Sequence, residues 1–326
     1  MNTQASRSIL VWSLTISILV TGASVLGLVD QGVYDEETEN WATQARGQDI
    51  GNLLAVVTLL LSGYRYAQGS HRAGLVWLGT LLYLVYAYIV YSMAVHFNEL
   101  FLVYVAALGL SSYAVMFSID RLRAKNVASP RPSARRVAGY TSIAIGLIFG
   151  LLWLGEVIPA TLSGEVPQSV IDASLWVNPI HVIDLAVLLP GFIIAGYWTL
   201  RGRSAGQFFV GPLLVFSVLM GASIVAAMIL MTVDGFENTL PPLIMVSVVV
   251  LTSLFALGAT SWLPPSSTFY FPTRRRGPSG NNSGWRHRGS QRWGSHLGCS
   301  DATKKSSGSK HVPTNSGVKS AVPCSC

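Results

Sequence analysis

The side chains able to do chemistry in this sequence recur at one kind of place, the ends of long apolar runs. His181 and Asp184 stand three residues apart behind Asn178-Pro179, so on a helix they share a face. His96 and Glu99 follow an apolar run in His96-Phe97-Asn98-Glu99. Glu156 closes another in Gly155-Glu156-Val157-Ile158-Pro159, and Asp49 and Asn52 open a third. Imidazole and carboxylate at one depth suit a divalent metal such as Zn, Fe or Mn, or a hydrogen-bonded acid–base set. His96, Glu99, Glu156, His181 and Asp184 are therefore candidate ligand or metal residues, expected to converge at one mouth of a helix bundle. Asn178, Asp49 and Asn52 are expected to support them by capping helices: an Asn cap followed by proline is a helix start, and a carboxylate there suits the helix dipole. The spacing matches neither a zincin helix nor a Glu-x-x-His pair, and there is no Walker motif or cytochrome Cys-x-x-Cys-His.

The elements that must position these groups are long apolar helices. Of 326 residues, 51% are hydrophobic and 11% charged, and the mean hydropathy is +0.47. Soluble domains carry about 25% charged residues. This composition excludes a soluble globular protein, a disordered chain and a disulfide scaffold. A helix of about 20 apolar residues crosses a hydrocarbon core ~30 Å thick. Eight runs qualify: Ile9–Val29, Ile50–Tyr66, Leu75–Val95, Leu100–Ile119, Val137–Ile158, His181–Leu200, Phe208–Val233 and Leu240–Leu263. The expected fold is all-α, a polytopic transmembrane bundle of eight helices. Thr21-Gly22-Ala23-Ser24 offers small residues for signal cleavage, but the first apolar run exceeds the ~7–15 residues of a signal core and reads as a span.

Loop charge orients the bundle. Placing alternate loops on opposite sides puts 21 of the 22 Lys and Arg on one side, with Arg46 the exception, and 13 of the 15 acids on the other. The positive-inside rule then makes both termini cytoplasmic, and a plasma-membrane location is expected. No Lys, Arg, Asp or Glu falls at the midpoint of any run, whereas ion-coupled transporters usually hold one there. A helix break does occur, at Pro190-Gly191. Tyr83 and Tyr86 lie near mid-run, where each hydroxyl needs a partner.

Residues 264–326 change character to Gly, Ser, Pro, Arg and Lys, and hold all three cysteines. They read as a disordered basic cytoplasmic tail. Arg274-Arg275-Arg276 would contact anionic lipid beside the bilayer. The net charge of +7 gathers in this tail and in short loops, so no nucleic-acid partner is expected. Segment 49–84 overlays 181–216 with six identities in 36, and a 4+4 parallel duplication is one arrangement this allows.

The strings Gly-Thr-Leu-Leu-Tyr-Leu-Val-Tyr-Ala-Tyr (79–88), His96-Phe97-Asn98-Glu99-Leu100-Phe101 and Asn178-Pro179-Ile180-His181-Val182-Ile183-Asp184-Leu185 resemble a group of uncharacterised prokaryotic multi-pass membrane proteins. The resemblance covers residues 10–262 and implies no activity and no cofactor. Three functions stay open: an outward-facing site for an ion, small ligand or partner; a secondary transporter or channel; and a membrane enzyme, metal-assisted or haem-linked through His96 and His181.

Overall fold

The computed structural model describes residues 3–124 and 131–262; the 264–326 tail and its Arg274, Arg275 and Arg276 lie outside the described residues. Eight helices among them are long and apolar enough to cross a membrane. They are α1 (Thr3–Val29), α2 (Glu39–Ala67), α3 (His71–Ala94), α4 (Phe101–Arg123), α5 (Pro132–Ser163), α6 (Pro179–Leu200), α7 (Ser204–Val233) and α8 (Leu240–Trp262). The fold is an all-α bundle, with no strand among the described residues.

The main departure from expectation is α2. It starts at Glu39 and not near Ile50, so Asp49 lies ten residues inside it and caps nothing. The cap is Thr38, whose side chain accepts from the Trp41 N–H at 3.2 Å. Glu39 in the first turn suits the dipole. The first three turns of α2 are too polar for a hydropathy window, yet they stay helical because neighbouring helices supply partners. Thr43 donates to the Asp234 carboxylate at 2.9 Å, and Gln48 donates to the Tyr83 hydroxyl at 2.7 Å.

Local rules explain the other ends. Pro132 occupies the first turn of α5, where a missing N–H costs nothing. Gly164 ends that helix at φ +75°, a left-handed conformation that glycine adopts without strain. Asn178 caps α6 by accepting from the Ile180 N–H at 3.0 Å, and Pro179 follows at the first helical position. Asp184–Leu188 then winds as a π-helix, with the Leu189 N–H bonded to the Asp184 carbonyl. Pro190 comes next. Its ring has no N–H and crowds the carbonyl four residues back, and the wider turn relieves that conflict.

Packing follows chain order. Among the first four spans α1 packs on α2, α2 on α3, α3 on α4, and α1 closes on α4. The last four repeat this order, α5 on α6, α6 on α7, α7 on α8, and α5 on α8. Sequential up-and-down rings and duplicated four-helix units both give this pattern. The halves meet where α7 lies against α2 and α3. Missing side chains let the backbones close there. A Cβ on Gly79 would fall 2.5 Å from the Pro212 carbonyl oxygen, and one on Gly51 would collide with Ser223 on α7.

The acid-bearing loops gather at one end of the bundle. Thr38 donates to the Asp172 carbonyl at 2.8 Å, the Trp41 indole to the Ala94 carbonyl at 2.6 Å, and Asn98 to the Val33 carbonyl at 3.1 Å. At the other end Arg123 lies over Phe209, and Arg201 over Tyr197.

Candidate functional site

Asp184 is the centre of the site. The Asn178 cap fixes the start of α6, and one turn later His181 and Asp184 both turn inward, 7% exposed each. They meet α5, where Trp153 and Glu156 are also one turn apart. The Trp153 indole N–H donates to Asp184 Oδ2 at 2.8 Å. The His181 ring packs on the Trp153 ring with centroids 4.8 Å apart. His181 Nε2 stands 3.6 Å from Glu156 Oε2, too far for a good hydrogen bond. The other Glu156 oxygen accepts from the Ser169 N–H at 3.1 Å. Asp184 Oδ1 is buried and has no hydrogen-bond partner. Tyr86 on α3 lies close enough to interact with this carboxylate. Burying a carboxyl oxygen without a donor is costly, so Asp184 is the least satisfied acid in the described bundle core.

Asp184 lines a cavity of about 310 Å³ bounded by α2, α3, α5, α6, α7 and α8. Its walls are mostly aliphatic and aromatic, with rings from Trp41, Tyr86, Phe149, Trp153, Phe192 and Phe216. Asp184 is its one carboxylate, and no Lys, Arg or His lines it. An apolar pocket of this size with few polar groups is the usual form of a small-molecule site.

A second polar centre lies beside the cavity. Asp49, 1% exposed, accepts from the Tyr34 hydroxyl at 2.7 Å and from the Tyr91 hydroxyl at 2.9 Å, one phenol on each oxygen. Burial, and then the Asp49 charge, raise the pKa of Tyr34 well above that of an ordinary phenol, which keeps it a donor. Gly27 makes the room: a Cβ there would lie 2.6 Å from the Tyr34 hydroxyl. One turn further along α2, Asn52 accepts from Tyr83 at 3.1 Å, and Ser223 on α7 donates to the Gln48 carbonyl oxygen at 3.1 Å. These bonds tie α2, α3 and α7 together. Unlike Asp184, Asp49 has a donor on each oxygen.

The five candidate residues thus fall into two groups. His181, Glu156 and Asp184 are together on α5 and α6. His96 and Glu99 are elsewhere, at the α3–α4 turn, in a polar cleft with Asp30 and Glu36 that shares no lining residue with the cavity. His96 is committed to Glu37. Its ring Nδ1 is 3.0 Å from one carboxylate oxygen, and its backbone N–H donates to the other at 2.6 Å. Among the described residues no group of three or more His, Cys, Asp or Glu is placed to hold a metal ion.

Sequence reasoning passed over Trp153, Gln48 and Glu37. The Trp153 indole N–H serves Asp184. Its spacing to Glu156 mirrors that of His181 to Asp184, and that signal was available. Glu37 gave none, since nothing in its neighbourhood points to a residue 59 positions away. Fold and site together define an α-helical membrane bundle with a mainly apolar cavity between its helices. Comparison with family models, curated proteins and solved structures finds no match.

Proposed function

We propose that this membrane protein binds a small, largely apolar molecule inside its bundle, at Asp184. The observation that carries this reading is the 310 Å³ cavity walled by apolar side chains with one buried, half-satisfied carboxylate in its lining. Burial of the ligand's apolar body supplies affinity, at about 25 cal/mol per Å², and the carboxylate fixes orientation. The test is neopentylbenzene binding, followed by saturation-transfer NMR on the purified full chain. Ile224→Trp adds bulk to the cavity wall and should remove the signal. Equal signals from wild type and variant would refute the cavity as the site.

Transport is the second reading, favoured by one observation. The cavity wall contains the π-wound segment of α6, next to Pro190-Gly191. Broken helices at a ligand site are the usual hinge of alternating access. Uptake of a labelled solute into proteoliposomes, beyond that of empty vesicles, would favour transport over simple binding. A haem held jointly by His96 and His181 has less support, because His96 is held by Glu37 at the α3–α4 turn while His181 lies apart from it on α6, against Trp153.

The orientation belongs to the same proposal. Both termini face the cytoplasm of a plasma membrane, and Arg274, Arg275 and Arg276 contact anionic headgroups. The acid-rich mouth, with His181 and Glu156, then faces outward. Membership of the uncharacterised prokaryotic group is retained on the strings at 79–88, 96–101 and 178–185.

A further inference from the structure

Resting on the cavity reading, we infer that the molecule bound beside Asp184 is a lipophilic organic cation, an ammonium group carried on an apolar body. Three features of the lining point to it.

The first is charge. The cavity wall holds one carboxylate and no Lys, Arg or His, so an anion meets only repulsion there. The second is saturation of the other polar groups. Gln48 bonds to Tyr83, Tyr91 to Asp49, Ser223 to Gln48 and Ser217 to Ser253. The indoles of Trp41 and Trp153 donate to Ala94 and Asp184. A neutral polar ligand finds these groups already engaged. What remains are the Asp184 carboxylate, with the Tyr86 hydroxyl as its near neighbour, and the Gln44 side chain, whose amide N–H already donates to Asn40. The third is aromatic density. Tyr86 and Phe216 meet edge to face with centroids 5.4 Å apart, and Phe192 meets Phe216 at 6.2 Å. Trp153, beside them in the cavity wall, is itself bonded to the carboxylate. Aromatic faces attract cations through their quadrupole, most strongly where water is excluded. A carboxylate among aromatic rings with no competing base is the chemistry that selects an ammonium ion over its neutral isostere.

The matched probes are benzyltrimethylammonium and neopentylbenzene, which have one shape and differ by a charge. Binding is measured by calorimetry on the full chain in nanodiscs of phosphatidylglycerol. The cation should bind about tenfold or more tightly than the hydrocarbon, through Coulomb attraction to the carboxylate and cation–π contacts, since a quaternary ammonium has no N–H to donate. Asp184→Asn removes the negative charge and should remove that preference, weakening the cation about tenfold and the hydrocarbon less than about twofold. Phe216→Leu keeps the carboxylate and guards against a folding defect at Asp184. It should weaken the cation about threefold and leave the preference reduced but present. Nanodiscs of phosphatidylcholine separate two sources of the same chemistry. Neopentylbenzene carries no charge and does not feel the change of surface potential, so its weaker binding there means that a choline headgroup competes for the site, and its unchanged binding means a free cation; either upholds an ammonium site. Equal affinity of the two probes for wild type would overturn the cation assignment and leave the cavity reading standing. Binding of neither probe, or binding untouched by Ile224→Trp, would overturn both.

Discussion

Replacing Tyr91 with Phe removes one hydroxyl and keeps a ring that packs on Tyr88 and Tyr104, with centroids 5.6 and 5.1 Å away. The hydroxyl donates to Asp49 Oδ1 at 2.9 Å, and the Ala45 carbonyl at 3.1 Å competes for the same proton. A hydrogen bond to a charged acceptor contributes about 1.5–3 kcal/mol in soluble proteins. Interhelical bonds measured within membranes average about 0.6 and reach about 1.7 kcal/mol. Asp49 is almost wholly buried and keeps Tyr34 on its other oxygen, so the loss should lie near the top of the membrane range, about 1.5 kcal/mol. The informative experiment is a double-mutant cycle with Asp49→Leu. With no carboxylate to serve, Tyr91→Phe should cost little, and the coupling between the two sites should be about 1 kcal/mol or more. Stability is read from reversible unfolding in mixed micelles with increasing dodecyl sulfate. Additivity to within about 0.5 kcal/mol would mean that the phenol and carboxylate do not act as a pair, and would refute the argument that polar partners hold the first turns of α2.

Two further outcomes are expected. Gly27→Ala should destabilise by about 1–3 kcal/mol, because its methyl group crowds Asp49 and the Tyr34 hydroxyl; its cost should be smaller in a Tyr34→Phe background than in wild type, and an equal cost in thermal unfolding would place the strain elsewhere. Reporter fusions after Leu200 and after Asp234 bracket α7 and should report opposite sides of the membrane. The same side for both would sink the span assignment.

Composition and apolar run length alone determined the class and the number of spans. A span must satisfy its own backbone, so it is helical and mainly apolar over a bilayer's length, and that demand is written locally in sequence. Asn178-Pro179 was legible for the same reason, since a cap and a first-turn proline act within one turn. The pairing of His181 with Asp184 on one face follows from helix geometry. Tertiary structure alone decided the rest. The polar turns of α2 are helical because Asp234, Tyr83 and Tyr34 reach them from other segments. Asp49 and Asp184 look alike as isolated acids at helix ends. Asp49 is saturated by two phenols, and Asp184 is left with an open oxygen beside a cavity. His96 and His181 share an expected depth, but different carboxylates claim them. A helix repeats every 3.6 residues and records which of its own side chains share a face. It records nothing about which helix will stand opposite, and Gln48 meets Ser223 across 175 residues of chain.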